Sequence, residues 1–204
     1  MRLIITVLTL IAQGLLTAAA PVGHPSLGIY RLPFADGTVV KVFDDFNTHQ
    51  PRGRIDLYAV RGVDPYRVVA AAGGRIVAIQ DGYSEQQSGR AASLCHNNYV
   101  WIAHPNGEWT NYSHLAKGSV TGKAGLKVGD TVKAGQYLGD EGAVGCAMLK
   151  HVHFEVAVPD PRMPIDSGGF LMDNDSGKRE RNPRFCQVPN QFAIKNAEYH
   201  AGAC

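Results

Sequence analysis

Residues 97–115 read NNYVWIAHPNGEWTNYSHL, two runs rich in aromatic and β-branched residues on either side of Asn106-Gly107. Asn-Gly between strand-like runs is the strongest short-range hairpin signal, because both residues tolerate the positive φ angles of a tight turn. The stretch therefore predicts two antiparallel strands. Its neighbours have the same texture: IDLYAV (55–60), RVVAAAGGRIVAIQ (67–80), TVKAGQYLG (131–139) and HVHFEVAV (151–158) are short apolar runs separated by glycine turns. Beyond the N-terminus no segment keeps a 3.6-residue apolar period. The prediction is an all-β, antiparallel fold.

Two of these segments echo each other. VVAAAGGRIVAIQDG (68–82) and LKVGDTVKAGQYLGDEG (126–142) each join short apolar strands through glycine turns, the texture of a compact β-sandwich. A carrier domain of that kind needs an attachment lysine at an exposed hairpin tip, and neither Lys133 nor Lys150 has that setting. Both segments are expected to be scaffold.

The chain of 204 residues suits one well-packed domain. It begins with Arg2, an apolar run from Leu3 to about Leu16, and the small residues Thr17 to Ala20. That order is the pattern of a secretory signal peptide, here 1–19, and the apolar run is short for a membrane span. An exported chain meets oxidising conditions, so Cys95, Cys146, Cys186 and Cys204 are expected to be disulfides. Three pairings are possible; the favoured one joins the two body cysteines, 95–146, and the two tail cysteines, 186–204. The longer loop alone would contribute about 3–5 kcal/mol in the chain-entropy model. No CxxC spacing points to a thiolate metal site. The formal net charge is only +2, and the basic residues are scattered except in KRERNPR (178–184), read as a solvated loop. Nothing resembles a nucleic-acid-binding face. After signal removal no stable membrane insertion is expected, and the protein should be a monomer. The division is signal peptide 1–19, N-terminal segment 20–44, a β-rich domain 45–158 and a loop-rich C-terminal extension 159–204.

Of eight histidines, two stand out. Side chains alternate faces along a strand, so His151 and His153 point the same way while Val152 points the other. Such a pair can share one metal, or divide the work between ligation and proton transfer. Upstream lie His49 and then Asp56, a carboxylate inside the apolar run 55–60, costly to bury unless it is paired or binds a metal. His114 ends a strand in TNYSHL. Two histidines and an aspartate would make a three-ligand catalytic zinc site. His104, just before the hairpin turn, is expected to hold that turn.

The ordered set His49…Asp56, YSHL (112–115) and HVHFEV (151–156) resembles the motifs of the lysostaphin-type (LytM-type) zinc metallopeptidases. VVAAAGGRIVAI, the hairpin stretch and LKVGDTVKAGQYLGDEG resemble other motifs of that family, and the likeness covers about residues 45–158. The resemblance implies a small antiparallel β-sandwich with a groove over one sheet and one Zn2+ per chain. It implies a secreted or periplasmic endopeptidase acting on peptidoglycan stem or bridge peptides. Carried over by position, His49, Asp56 and His153 would ligate zinc, and His114 and His151 would be the non-ligand catalytic pair. The resemblance is imperfect. Six residues separate His49 from Asp56 where three are common, which puts Arg52 at the position strict spacing gives to histidine. CAMLK (146–150) replaces the usual Ser-Thr-Gly-Pro before the histidine pair, and Asn182-Pro183 follows a long insertion. The alternative reading is an inactive member of the same fold that binds or regulates cell-wall hydrolases.

Overall fold

The computed structural model describes residues 23–87, 95–160, 165–166, 168–170 and 178–204; the expected signal peptide lies outside them. The strands are β1 Pro25–Tyr30, β2 Val39–Asp44, β3 Ile55–Arg61, β4 Arg67–Val69, β5 Gly74–Gln80, β6 Tyr99–Ala103, β7 Trp109–Ser113, β8 Thr131–Val132, β9 Tyr137–Asp140, β10 Val152–Ala157, β11 Glu180–Phe185 and β12 Glu198–His200. Among the described residues the only helical element is a π turn, Ser119–Lys123. The fold is all-β, as the alternation predicts.

Ten strands form one sheet in the order β12-β2-β3-β10-β7-β6-β5-β8, with β11 joined to β10 and to β1; β4 and β9 make a second, two-stranded sheet. Every pairing is antiparallel except β1 with β11. The hairpin β6–β7 forms around Asn106-Gly107, with Gly107 at φ +84°. The two echoing segments pack on each other: β4 pairs β9 and β5 pairs β8. Alternate residues of the large sheet, among them Leu57, Ile102, Tyr112, Phe154 and Val156, fill one continuous apolar core.

Both ends of the chain are more structured than their composition suggests. The N-terminal segment supplies β1 and β2, and the loop-rich extension supplies β11 and β12. KRERNPR is not a solvated loop: residues 180–184 belong to β11, where Glu180 and Asn182 are buried. Two of its polar groups are hydrogen-bonded there, Asn182 N–H donating to the His24 carbonyl and Arg179 Nε to Val158 O. Pro183 is tolerated because β11 lies beside short, partial partners. The disulfides are Cys95–Cys146 and Cys186–Cys204, the favoured pairing.

Candidate metal centre

Strand β10 sits between β3 and β7, and its register sets the site. His153 lies directly opposite Asp56 on β3 and Ser113 on β7. Directly opposed residues share a face, so the His153 and Asp56 side chains meet on the side of the sheet away from the core. His151, two residues earlier, shares that face and is bridged to Gly142. A Cβ at Gly142 would lie 2.6 Å from the His114 carbonyl oxygen and from Ala116 N. Glycine there lets the two chains close up and brings His114 beside His151. His114 follows β7 with φ +68°, an unusual conformation for a residue with a side chain.

His49 arrives from the turn after β2. Asp45 organises that turn by accepting the Asn47 and Thr48 N–H groups, and His49 N–H donates to Asp45 O. The long spacing to Asp56 is taken up by this turn, which leaves Arg52 exposed and points His49 inward. Its Nε2 lies 3.4 Å from Asp56 Oδ2, and its ring is 4.8 Å from that of His153.

One carboxylate thus faces three imidazoles. Asp56 Oδ1 is 3.0 Å from His153 Nδ1 and 3.5 Å from His151 Nε2, and Oδ2 faces His49. The His114 ring lies 4.6 Å from His151 and 5.8 Å from His153. Three histidines commit Nδ1–H to a backbone carbonyl: His49 to Pro51, His114 to Val144 and His151 to Leu149. Each therefore keeps Nε2 for the site. His153 is turned the other way: Nδ1 faces Asp56, and the buried Nε2 has no hydrogen-bond partner among the described residues.

The electrostatics follow from burial and this convergence. Burial alone would raise the Asp56 carboxyl, but contacts with His151, His153 and His49 outweigh it and hold it well below the usual range. Burial drives His153 down to about 3 despite Asp56, and drives His114 well down with help from its two histidine neighbours. In His151 the contact with Asp56 outweighs burial and raises the pKa. The centre is an ionised carboxylate with two imidazoles, His114 and His153, held neutral by burial and one, His151, shifted toward its protonated form.

Two overlapping sets can hold a metal: His49, Asp56 and His153, or His114, His151 and His153, with the donor atoms of each set within 4.8 Å of one another. The first includes an ionised carboxylate, which offsets part of a divalent cation's charge. All five residues singled out in the sequence meet here. His104 does not: its ring nitrogens lie against Gly73 O and Thr110 Oγ1, so it holds the hairpin.

Sequence reading missed the residues behind His153. Arg54 lies 3.8 Å from Glu155 and 3.9 Å from Glu180, all three buried. Phe170, from the C-terminal extension, sets its ring 4.9 Å from His153 and under the Arg54 guanidinium. Glu155 was legible, being two residues beyond His153 on the same face. Phe170 carried no local signal.

The profile of Peptidase family M23 matches residues 52–166, 115 of the 204 residues, and so includes Asp56, His114, His151 and His153. The peptidoglycan DD-endopeptidase ShyC of Vibrio cholerae is 34% identical over 128 residues, 63% of this chain and 26% of that protein. The glycyl-glycine endopeptidase ALE-1 of Staphylococcus capitis is 35% identical over 142 residues, 66% of this chain and 35% of that protein. The solved structure of the antimicrobial peptidase lysostaphin from Staphylococcus simulans aligns with 65% of this chain and 46% of its own, at 25% identity and a TM-score of 0.43. The alignments thus span about a quarter and a third of the two relatives' own lengths. With more than half of its residues matched by the family profile, the chain belongs to Peptidase family M23.

Proposed function

We propose that the protein is an exported zinc metalloendopeptidase that hydrolyses peptide bonds in the stem or bridge peptides of bacterial peptidoglycan. The observation that carries this reading is the convergence of His49, Asp56 and His153 donor atoms, with two further histidines beside them. Family membership and relatives named as peptidoglycan and glycyl-glycine endopeptidases support the substrate class. The N-terminal residues 1–19 and the two disulfides support export.

His49, Asp56 and His153 would hold the zinc, and Asp56 supplies the negative charge. When bound there, zinc supplies Lewis acidity toward water and the scissile carbonyl. The protein's own groups do the rest. His114 and His151 are locked by Nδ1–H bonds to Val144 O and Leu149 O, so each presents Nε2 in a fixed direction. One of them, neutral, takes the proton from the attacking water at Nε2, and the other, protonated at Nε2, donates a hydrogen bond to the carbonyl oxygen as charge develops. Burial of the site excludes competing water.

Metal analysis with variants tests this. Wild type should hold one zinc per chain and His49→Ala should lose it. His114→Ala should keep the zinc but lose about 100-fold or more in peptidoglycan solubilisation. Zinc retained by His49→Ala and lost by His114→Ala would move the centre to the all-histidine set. Zinc-loaded wild type without hydrolysis would favour a binding module.

A further inference from the structure

The face of the sheet that carries the site is not open along its length. On the β6–β7 side of His153, Trp101, Asn111 and Ser113 are fully buried although they point away from the apolar core. Part of what covers them is a turn made by Asp166, Gly168, Gly169 and Phe170. Asp166 closes it, its carboxylate accepting the Gly168 and Phe170 N–H groups. Three wholly buried side chains hold it down: Asn97 Nδ2 donates to Gly168 O at 2.7 Å, and Trp101 Nε1 and Asn111 Nδ2 donate to Gly169 O at 2.8 and 3.0 Å. Gly169 has φ +85°, and a Cβ there would come within 2.1 Å of the Tyr99 ring. This seat is built for glycine. Lifting the turn would break all three of these buried hydrogen bonds together.

The opposite side is different. There His49, arriving from the turn after β2, keeps its side chain 12% exposed, whereas His153 is 3% exposed. We infer that the turn is a fixed end wall of the substrate site, with Phe170 as its specificity-determining residue, so that a bound peptide can continue only away from Phe170. The Phe170 ring stands 4.9 Å from the His153 ring. That spacing is direct ring packing, so Phe170 closes the site right beside His153 and a substrate chain must end or turn aside there. The preferred substrate is then a peptide cut close to one of its ends, not a long strand cut in its middle. The length limit rests on the peptidase reading above; the fixed wall does not.

The test has two parts. Amide and indole hydrogen exchange on the full chain reads the wall without any activity: the Trp101 indole proton and the Phe170 N–H should exchange slowly. Synthetic stem and oligoglycine peptides, lengthened at one end or the other, read the limit, with cut sites located by mass spectrometry. Lengthening on one side should lower kcat/KM about tenfold or more, and on the other side should not. Phe170→Ala should recover the longer substrates with zinc content unchanged, while Phe170→Leu, which keeps apolar bulk, should keep the limit. Rapid exchange would overturn the wall and make the turn a removable plug. Equal cleavage of peptides lengthened on either side would also overturn it. Slow exchange with no peptide cleaved would sink the peptidase reading and support the wall.

Discussion

The two faces of β10 are equally buried and chemically opposite. Val152, Phe154 and Val156 on one face and His153 and Glu155 on the other are all 3% exposed or less. On the first face burial is the driving force: Phe154 packs against Tyr112 and Phe185 with ring centroids 5.4 and 5.6 Å away. On the second it is a cost, offset by Asp56, Arg54 and the turn bearing Phe170. A strand optimised for stability alone would not be built this way. The difference teaches that depth does not separate scaffold from site here; the partners each side chain has do.

The largest effect should come from the apolar face. Phe154→Ala should lower unfolding free energy by about 3–5 kcal/mol in denaturant titrations, while the protein that remains folded keeps its zinc. A loss under about 1 kcal/mol would mean that the two faces do not differ in kind. A second buried carboxylate sharpens the contrast. Glu141, 3% exposed, accepts the Ala59 N–H, but burial still pushes its carboxyl up to about 7. Because the folded pKa lies above the unfolded one, the unfolded chain ionises first as pH rises. Stability should therefore fall between about pH 4.5 and 7, by on the order of 3 kcal/mol, and then level off. Glu141→Gln keeps the acceptor and removes the ionisation, so it should match wild type near pH 4 and exceed it at pH 8. Parallel melting curves at both pH values, with no gap opening, would refute this.

How far the sequence showed all this depended on whether the information was local. The β6–β7 hairpin announces itself through Asn106-Gly107, and the shared face of His151 and His153 follows from strand alternation alone. His49 and Asp56 are close in sequence, so their partnership was visible once the intervening turn was allowed to absorb the extra residues. The missing parts are long-range pairings without a local pattern. Strand β1 pairs Pro25 with Asn182, and β12 pairs His200 with Val39. ERNPRF carries charges and a proline, so nothing in its composition marks it as a strand; its neighbours β1 and β10 do. Phe170 reaches His153 from a segment rich in glycine and aspartate, where only tertiary contact gives the side chain a role.

The smallest effect returns to the polar face. In metal-free protein Asp56→Asn should cost about 1–3 kcal/mol at pH 7, the scale of hydrogen bonds to a charged group. The sign follows from the pKa: the folded carboxyl lies well below the unfolded one, so its contribution is complete above about pH 4 and fades as pH falls through the folded value. Asparagine imitates the protonated form, so the gap between the two proteins should close below pH 4. His151, raised by the same contact, adds a smaller component that is fully present below about pH 6.5 and lost as pH rises through its folded value. The gap should thus be widest near pH 5–6, narrower at pH 9 and smallest below pH 4. Denaturant titrations of both proteins at those values, with chelator present, would show it. A gap independent of pH would mean that Asp56 acts by shape alone, and the contrast between the two faces of β10 would then be one of packing and not of charge.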